Sequence, residues 1–257
     1  VVLVIDSTGR GQRSAHAVPG SEALQVLSAD IIQCHACPRL VAHREEVGRV
    51  KRRAYLSEQY WSKPVPGFGD PRARLFIVGL APGAHGANRT GRVFTGDRSG
   101  EFLYRALHET GFANQSLSVA ADDGLRLYDT YIAAAVRCVP PDNKPTREEI
   151  LTCRPYLARE LALFKELKVV VALGAIGFEA YLSILQQSGA IESRTRFRFG
   201  HGVTYQTHAG GPVLVGCYHP SQQNTSTGRL TREMLRDLFE EVRAILTVPS
   251  DGGPRIA

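Results

Sequence analysis

Four apolar runs set the terms for this chain. They are Leu75–Val78, Leu127–Val136, Val169–Leu173 and Pro212–Tyr218, and a helical pattern follows each in turn. A strand that is apolar at successive positions is buried on both faces, so it needs helices above and below it. Strands alternating with helices give an α/β class with a mostly parallel, four-stranded sheet. The chain has 257 residues, 43% of them hydrophobic, which is enough to bury such a core.

The helices carry their own punctuation. Ser21 has the chemistry of an N-cap before a stripe of Leu24, Leu27 and Ile31. A second helix is expected from Pro38 to about Ala54, a third from Ser99 to Glu109, and the last from Thr231 to Thr247. Thr146-Arg-Glu-Glu149 matches a capping box. We expect residues 1–20 to be a flexible extension, 21–247 one domain, and 248–257 a tail.

In open α/β sheets, ligands bind beyond the carboxyl ends of the strands. Three loops fall there: 79–97, 137–145 and 219–229. The first, GLAPGAHGANRTGRVFTGD, has glycines at 79, 83, 86, 91 and 96, which let a ligand approach the backbone. Its spacing matches neither of the two common phosphate-binding templates. It reads either as an active-site loop or as a turn-rich surface loop.

Net charge is +6, which attracts polyanions. Arg39, Arg44, Arg49, Lys51, Arg52 and Arg53 gather on the other face of the second helix, and read as a solvated face. No apolar run has the length of a membrane span and no secretory leader is legible, so a cytoplasmic setting is expected. Cys34-x2-Cys37 is followed by Cys138 and Cys153. Four thiolates can hold a [4Fe–4S] cluster or a zinc ion. The wide spacing of the second pair favours the cluster, while Cys138 and Cys153 could also be plain core thiols. Cys217, inside an apolar run, reads as core.

Three segments taken together resemble the uracil-DNA glycosylase superfamily. They are Gly79-Leu-Ala-Pro-Gly-Ala-His-Gly86 with Phe94-Thr-Gly-Asp97, then Val136-Arg-Cys-Val-Pro-Pro-Asp-Asn143-Lys-Pro145, and His219-Pro-Ser-Gln-Gln-Asn224. The cysteines and the Gly-Ala-His-Gly-Ala-Asn-Arg-Thr-Gly-Arg insert are similar to its family 5, or type B, iron–sulfur branch. The resemblance covers roughly residues 30 to 245.

That resemblance implies a three-layer α/β/α fold and removal of uracil, with hypoxanthine and other damaged bases, from DNA. The base must first be flipped out of the stack. Phe94 would stack on it, Asn143 would pair with its edge, and His219 would donate to the leaving base. Ala81 and Gly83 would line the pocket. Ala81 stands where better-known members carry a water-activating Asp or Asn, which leaves Asp97 as the first candidate for that task and His85 and Asn88 as weaker ones. Gln222, Gln223 and Asn224 would press into the minor groove, and Arg89, Arg92 and Arg229 would meet phosphates. Cys34, Cys37, Cys138 and Cys153 would hold a [4Fe–4S] cluster. The implied partner is duplex or single-stranded DNA, with a monomer as the default state. A non-catalytic iron–sulfur DNA binder or damage sensor on the same fold is the alternative. A zinc-stabilised enzyme acting on small nucleotides is a third reading.

Overall fold

A computed structural model of the chain describes residues 20–247. The expected N-terminal extension, up to residue 19, and the expected tail at 248–257 lie outside the described residues.

The parallel core is built as the apolar runs require. Strands β2 (Leu75–Gly79), β3 (Thr130–Ala134), β4 (Val169–Leu173) and β6 (Val213–Cys217) pair in the order β3-β2-β4-β6, all parallel. Two short antiparallel strands close the edges, β1 (Phe68–Gly69) on β3 and β5 (Thr204–Gln206) on β6. The sheet therefore has six strands rather than four. The additions run two and three residues, too short to show any period.

Alternation along each strand divides the core. Leu75, Ile77, Ile132, Val171 and Val215 face one side, with helices α4 (Arg98–Glu109) and α8 (Arg232–Thr247). Phe76, Val78, Ala133, Val170 and Leu214 face the other, with α1 (Ser21–Ile32), α5 (Arg147–Leu163) and α6 (Ala175–Gln187). This is the three-layer α/β/α arrangement. The remaining helices are α2 (Pro38–Val50), α3 (Ala87–Thr90) and α7 (Gln222–Ser226). No helix among the described residues is long and apolar enough to cross a membrane.

Boundaries shift where local chemistry intervenes. Gly20, at φ 85°, takes the N-cap place expected of Ser21. Helix α2 stops at Val50 because Lys51 turns left-handed at φ 57°. Helix α4 begins one residue early, with Asp97 as its N-cap. Thr146 and Glu149 form the full capping box, and Glu149 also takes a two-pronged bond from Arg39 at 2.8 and 2.7 Å. That pairing ties α2 to the start of α5.

Candidate active site

The carboxyl ends of the four parallel strands lie level, Gly79 beside Ala134 and Leu173 beside Cys217. Ala135 N donates to Gly79 O at 2.9 Å and Val136 N to Leu80 O at 3.0 Å, which clasps the first two loops past the strand ends. The third loop joins through rings. Phe94 and His219 stand 5.9 Å apart between centroids, tilted by 34°. Gly174, ending β4 at φ 89°, lies against His219, where an added Cβ would come 3.3 Å from the His219 Cβ. Loops from β2 and β6 and the turn after β4 thus meet around Phe94 and His219.

Phe94 is held in a left-handed conformation at φ 50°. For a bulky residue this costs about 1–3 kcal/mol and persists only where the surroundings enforce it. Tyr104 Oη donates to Val93 O at 2.9 Å and Arg92 Nε to Thr95 Oγ1 at 2.9 Å, which fixes the turn on both sides. A Cβ on Gly100 would fall 1.7 Å from Phe94 O, so the turn also depends on that glycine. Gly79 leaves room for the ring, since a Cβ there would come 2.9 Å from Phe94 Cε2. The half-buried ring is left facing His219.

Burial pushes the His219 pKa down to about 4, so the imidazole is neutral near pH 7. Asn224 Nδ2 donates to the His219 carbonyl at 2.9 Å. One of the amide donors expected to face the DNA is thus spent on shaping the histidine's own loop. Asp97 Oδ1 accepts from Gly100 N at 2.9 Å, and its Oδ2 lies against the backbone of Gly83 and Gly86. A Cβ at those glycines would come within 2.7 and 1.9 Å of Oδ2. Burial raises the Asp97 pKa, and the N–H groups of Gly100 and Ser99 oppose that rise. Asn143 sits at the exposed tip of the second loop, with Asp142 and Asn143 both left-handed at φ 54° and 56°. Among the described residues its side chain makes no hydrogen bond, so donor and acceptor are both free.

Two expectations need correction. Arg92 is 5% exposed, with 2.8 Å contacts to both Asp123 oxygens and to Ser118 Oγ. Arg89 pairs with Glu58, donates to His85 O and Gly96 O, and stacks 4.1 Å from the Tyr55 ring centroid. Both guanidinium groups brace the first loop from inside and have no face left for a phosphate. Arg229 differs. It is exposed, stacks 4.6 Å from the Tyr218 ring centroid, and has no acidic partner among the described residues.

The model of the uracil DNA glycosylase superfamily matches residues 66–243, which spans all three loops. The chain belongs to that superfamily. It is 52% identical over 227 residues to a type-5 uracil-DNA glycosylase of Mycobacterium tuberculosis, covering 88% of this chain and 83% of that protein. A Thermus thermophilus type-5 uracil-DNA glycosylase is 54% identical over 82% of this chain and 93% of its own. One from Pyrobaculum aerophilum is 44% identical over 83% and 89%. The solved structure of Pedobacter heparinus SMUG2 aligns with a TM-score of 0.43 at 14% identity, covering 68% of this chain and 76% of that one.

Other uracil-DNA glycosylase motif residues fall as follows. Gln222 and Gln223 are exposed on α7, whose N-cap Ser221 accepts from Asn224 N. His85 is bonded to Tyr60 Oη at 3.0 Å through Nδ1, and Asn88 is wholly buried. Asn88 thus has no open face for a water, whereas His85 Nε2 has no hydrogen-bond partner among the described residues. Ala81 packs towards Leu40, Val136 and Cys138. A cavity of about 660 Å³ between α5 and α6 is lined by Arg147, Ile150, Ile176 and Ser183, and contains none of the site candidates.

Cys34, Cys37, Cys138 and Cys153 line one small cavity beside Leu40 and Val136. Arg137 N donates to Cys153 Sγ at 3.2 Å, and Arg44 Nη1 to Cys138 Sγ at 3.2 Å. Burial raises the pKa of Cys37 and Cys138 and pushes Cys153 up to about 12, so thiolates here need a compensating positive charge. No three His, Cys, Asp or Glu side chains among the described residues converge closely enough for a single metal ion. Cys217 is core, as its apolar run implied.

Sequence reasoning missed two arginines here. Arg44, expected on a solvated face, is 1% exposed. Arg137 is equally buried and pairs with Glu160, itself bonded to Tyr131 Oη at 3.2 Å. The adjacency of Arg137 to Cys138 was the one available signal.

Proposed function

We propose that this chain is a DNA repair glycosylase that flips uracil out of DNA and hydrolyses its N-glycosidic bond, leaving an abasic site. The observation that carries this reading is the buried, neutral His219 set against Phe94 where the loops after β2 and β6 meet the turn after β4. Cleavage places positive charge on the sugar and negative charge on the departing base. A flipped pyrimidine stacks on Phe94, and Asn143 reads its edge with a free amide. His219, neutral near pH 7, donates its ring N–H to the base oxygen as charge builds there. Asp97, anchored by the start of α4, directs its free oxygen at the sugar side and orients the water. Ala81 leaves no carboxylate at the first-motif position, so the base's departure carries most of the barrier. The same small residue suits a site that also accepts hypoxanthine.

Arg229, Gln222 and Gln223 make the outer DNA contacts, and the protein acts as a monomer on duplex or single-stranded DNA. The cysteine site fits a [4Fe–4S] cluster. Four thiols share one cavity wall, two already accept N–H bonds, and ligands to separate irons stand further apart than ligands to one ion. The cluster would supply positive charge to these thiolates and join α2 to α5; none of the proposed catalytic residues is one of its ligands.

The test is release of free base from duplexes carrying uracil, hypoxanthine or only normal bases. Uracil release without added metal or nucleotide is expected, with hypoxanthine slower and normal bases untouched. Tight, salt-sensitive DNA binding with no base released would instead establish the non-catalytic binder.

A further inference from the structure

The glycine-rich loop and the cysteine site are joined by a buried polar strut. Arg44, on α2, donates from Nη1 to Cys138 Sγ at 3.2 Å and to Cys34 O at 3.1 Å. Its own carbonyl accepts from Asn88 Nδ2 at 3.2 Å. Asn88, on α3, is 0% exposed, and its backbone N–H donates to Gly83 O at 3.0 Å. Gly83 in turn lies against Asp97 Oδ2. Four contacts therefore lead from a cysteine sulfur to the carboxylate at the site.

Other contacts run beside the strut. Ser62 N donates to Asn88 O at 3.0 Å and Trp61 N to Arg89 O at 2.9 Å. Gly48 lets α2 approach Ser62, since a Cβ there would fall 1.8 Å from the Ser62 Oγ. Two strut atoms, Arg44 Nε and Asn88 Oδ1, are buried without a hydrogen-bond partner. Unpaired buried polar atoms are rare and need a reason. Apolar residues of similar size would fill both places without that penalty. What they would lose is a charged fork facing sulfur and a side-chain amide that ties the first-motif loop to α2.

We propose that Arg44 and Asn88 are positioning residues through which metal at Cys34, Cys37, Cys138 and Cys153 tightens the loop that places Gly83 and Asp97. The proposal rests on the glycosylase reading for its consequence in rate and on the cysteine ligand set for its far end. Asn88 contacts neither base nor metal and acts through Gly83.

The test is amide hydrogen exchange across residues 83–91, on the full chain as purified and after chelation of its metal, in wild type and Asn88→Ala. In wild type, removing the metal is expected to raise exchange there roughly fivefold, within the range of coupling between linked sites. In Asn88→Ala, exchange starts at that raised level and responds little to the metal. Single-turnover excision falls by a similar factor while duplex affinity holds. Amides of α8 report any global unfolding. If chelation unfolds the whole chain, the comparison of the two metal-loaded proteins decides. Asn88→Ser serves if the alanine variant fails to fold. Wild-type exchange in the metal-loaded variant, an equal metal response in both proteins, or wild-type chain purified without metal would each overturn the strut. Wild-type protein that releases no uracil defeats the glycosylase reading instead and leaves the exchange comparison standing.

Discussion

His219 owes its chemistry to burial rather than to a charged partner. Its pKa falls from the ordinary 6.5 to about 4. Between those values the unfolded chain holds a proton that the folded chain does not, so stability falls as pH drops from 6.5 towards 4. At pH 5 this loss amounts to about 2 kcal/mol. Urea melts at pH 7 and pH 5 should show it in wild type, and His219→Asn should lack that increment. His219→Ala should lower single-turnover excision by roughly 10²–10³-fold with near-normal DNA affinity, the cost of losing one donor to a developing anion. Asp97 has the opposite shift. Its raised pKa means that the folded chain holds the proton more tightly, and this contribution is lost as pH rises through the folded value. At neutral pH its burial is therefore a cost. Asp97→Asn keeps a competent N-cap and removes the buried charge, so stability should stay within about 1 kcal/mol of wild type or rise, as read by denaturant melts. Excision should fall sharply. An unchanged rate would remove Asp97 from the mechanism.

At the scale of elements, the first loop is stabilised from within by charges that look external in the sequence. Arg92→Met leaves Asp123 with only its backbone donors at Val119, Ala120 and Leu125, and should cost about 1.5–3 kcal/mol in a urea melt, as losing hydrogen bonds to a charged group does. Arg229→Ala should leave stability alone and reduce the slope of log affinity against log salt by about 1, the signature of one lost phosphate contact. A helical wheel cannot separate these arginines, because Arg92 finds Asp123 thirty-one positions away and Arg44 finds Cys138 ninety-four positions away. The strands and long helices were legible because they are periodic and locally capped. The edge strands were not, being shorter than a period of evidence requires. Asp97 shows how little separates the two outcomes. With α4 starting at Arg98 rather than Ser99, Asp97 becomes its N-cap and one of its carboxylate oxygens accepts from Gly100 N. The glycines are as specific as the side chains. Gly100→Ala, with its Cβ driven to within 1.7 Å of Phe94 O, should abolish excision by displacing the stacking ring.

For the whole molecule, the level strand ends bring three distant segments out at the same end of the sheet. The β3-β2-β4-β6 register brings residues from positions 79, 134, 173 and 217 to one end of the sheet, with helices on both faces. The family match covers this sheet and every loop on it, whereas the first cysteine pair lies before the matched span. The basic balance of +6 suits a DNA substrate, though several of its arginines are internal braces. The most direct measurement is single-turnover excision, at enzyme excess, from a duplex holding one uracil, scored as alkali-labile strand breaks. Wild-type protein should convert the substrate fully, with Asp97→Asn and His219→Ala slowed but still bound to the duplex. No alkali-labile product from wild-type protein would contradict the assignment of this site.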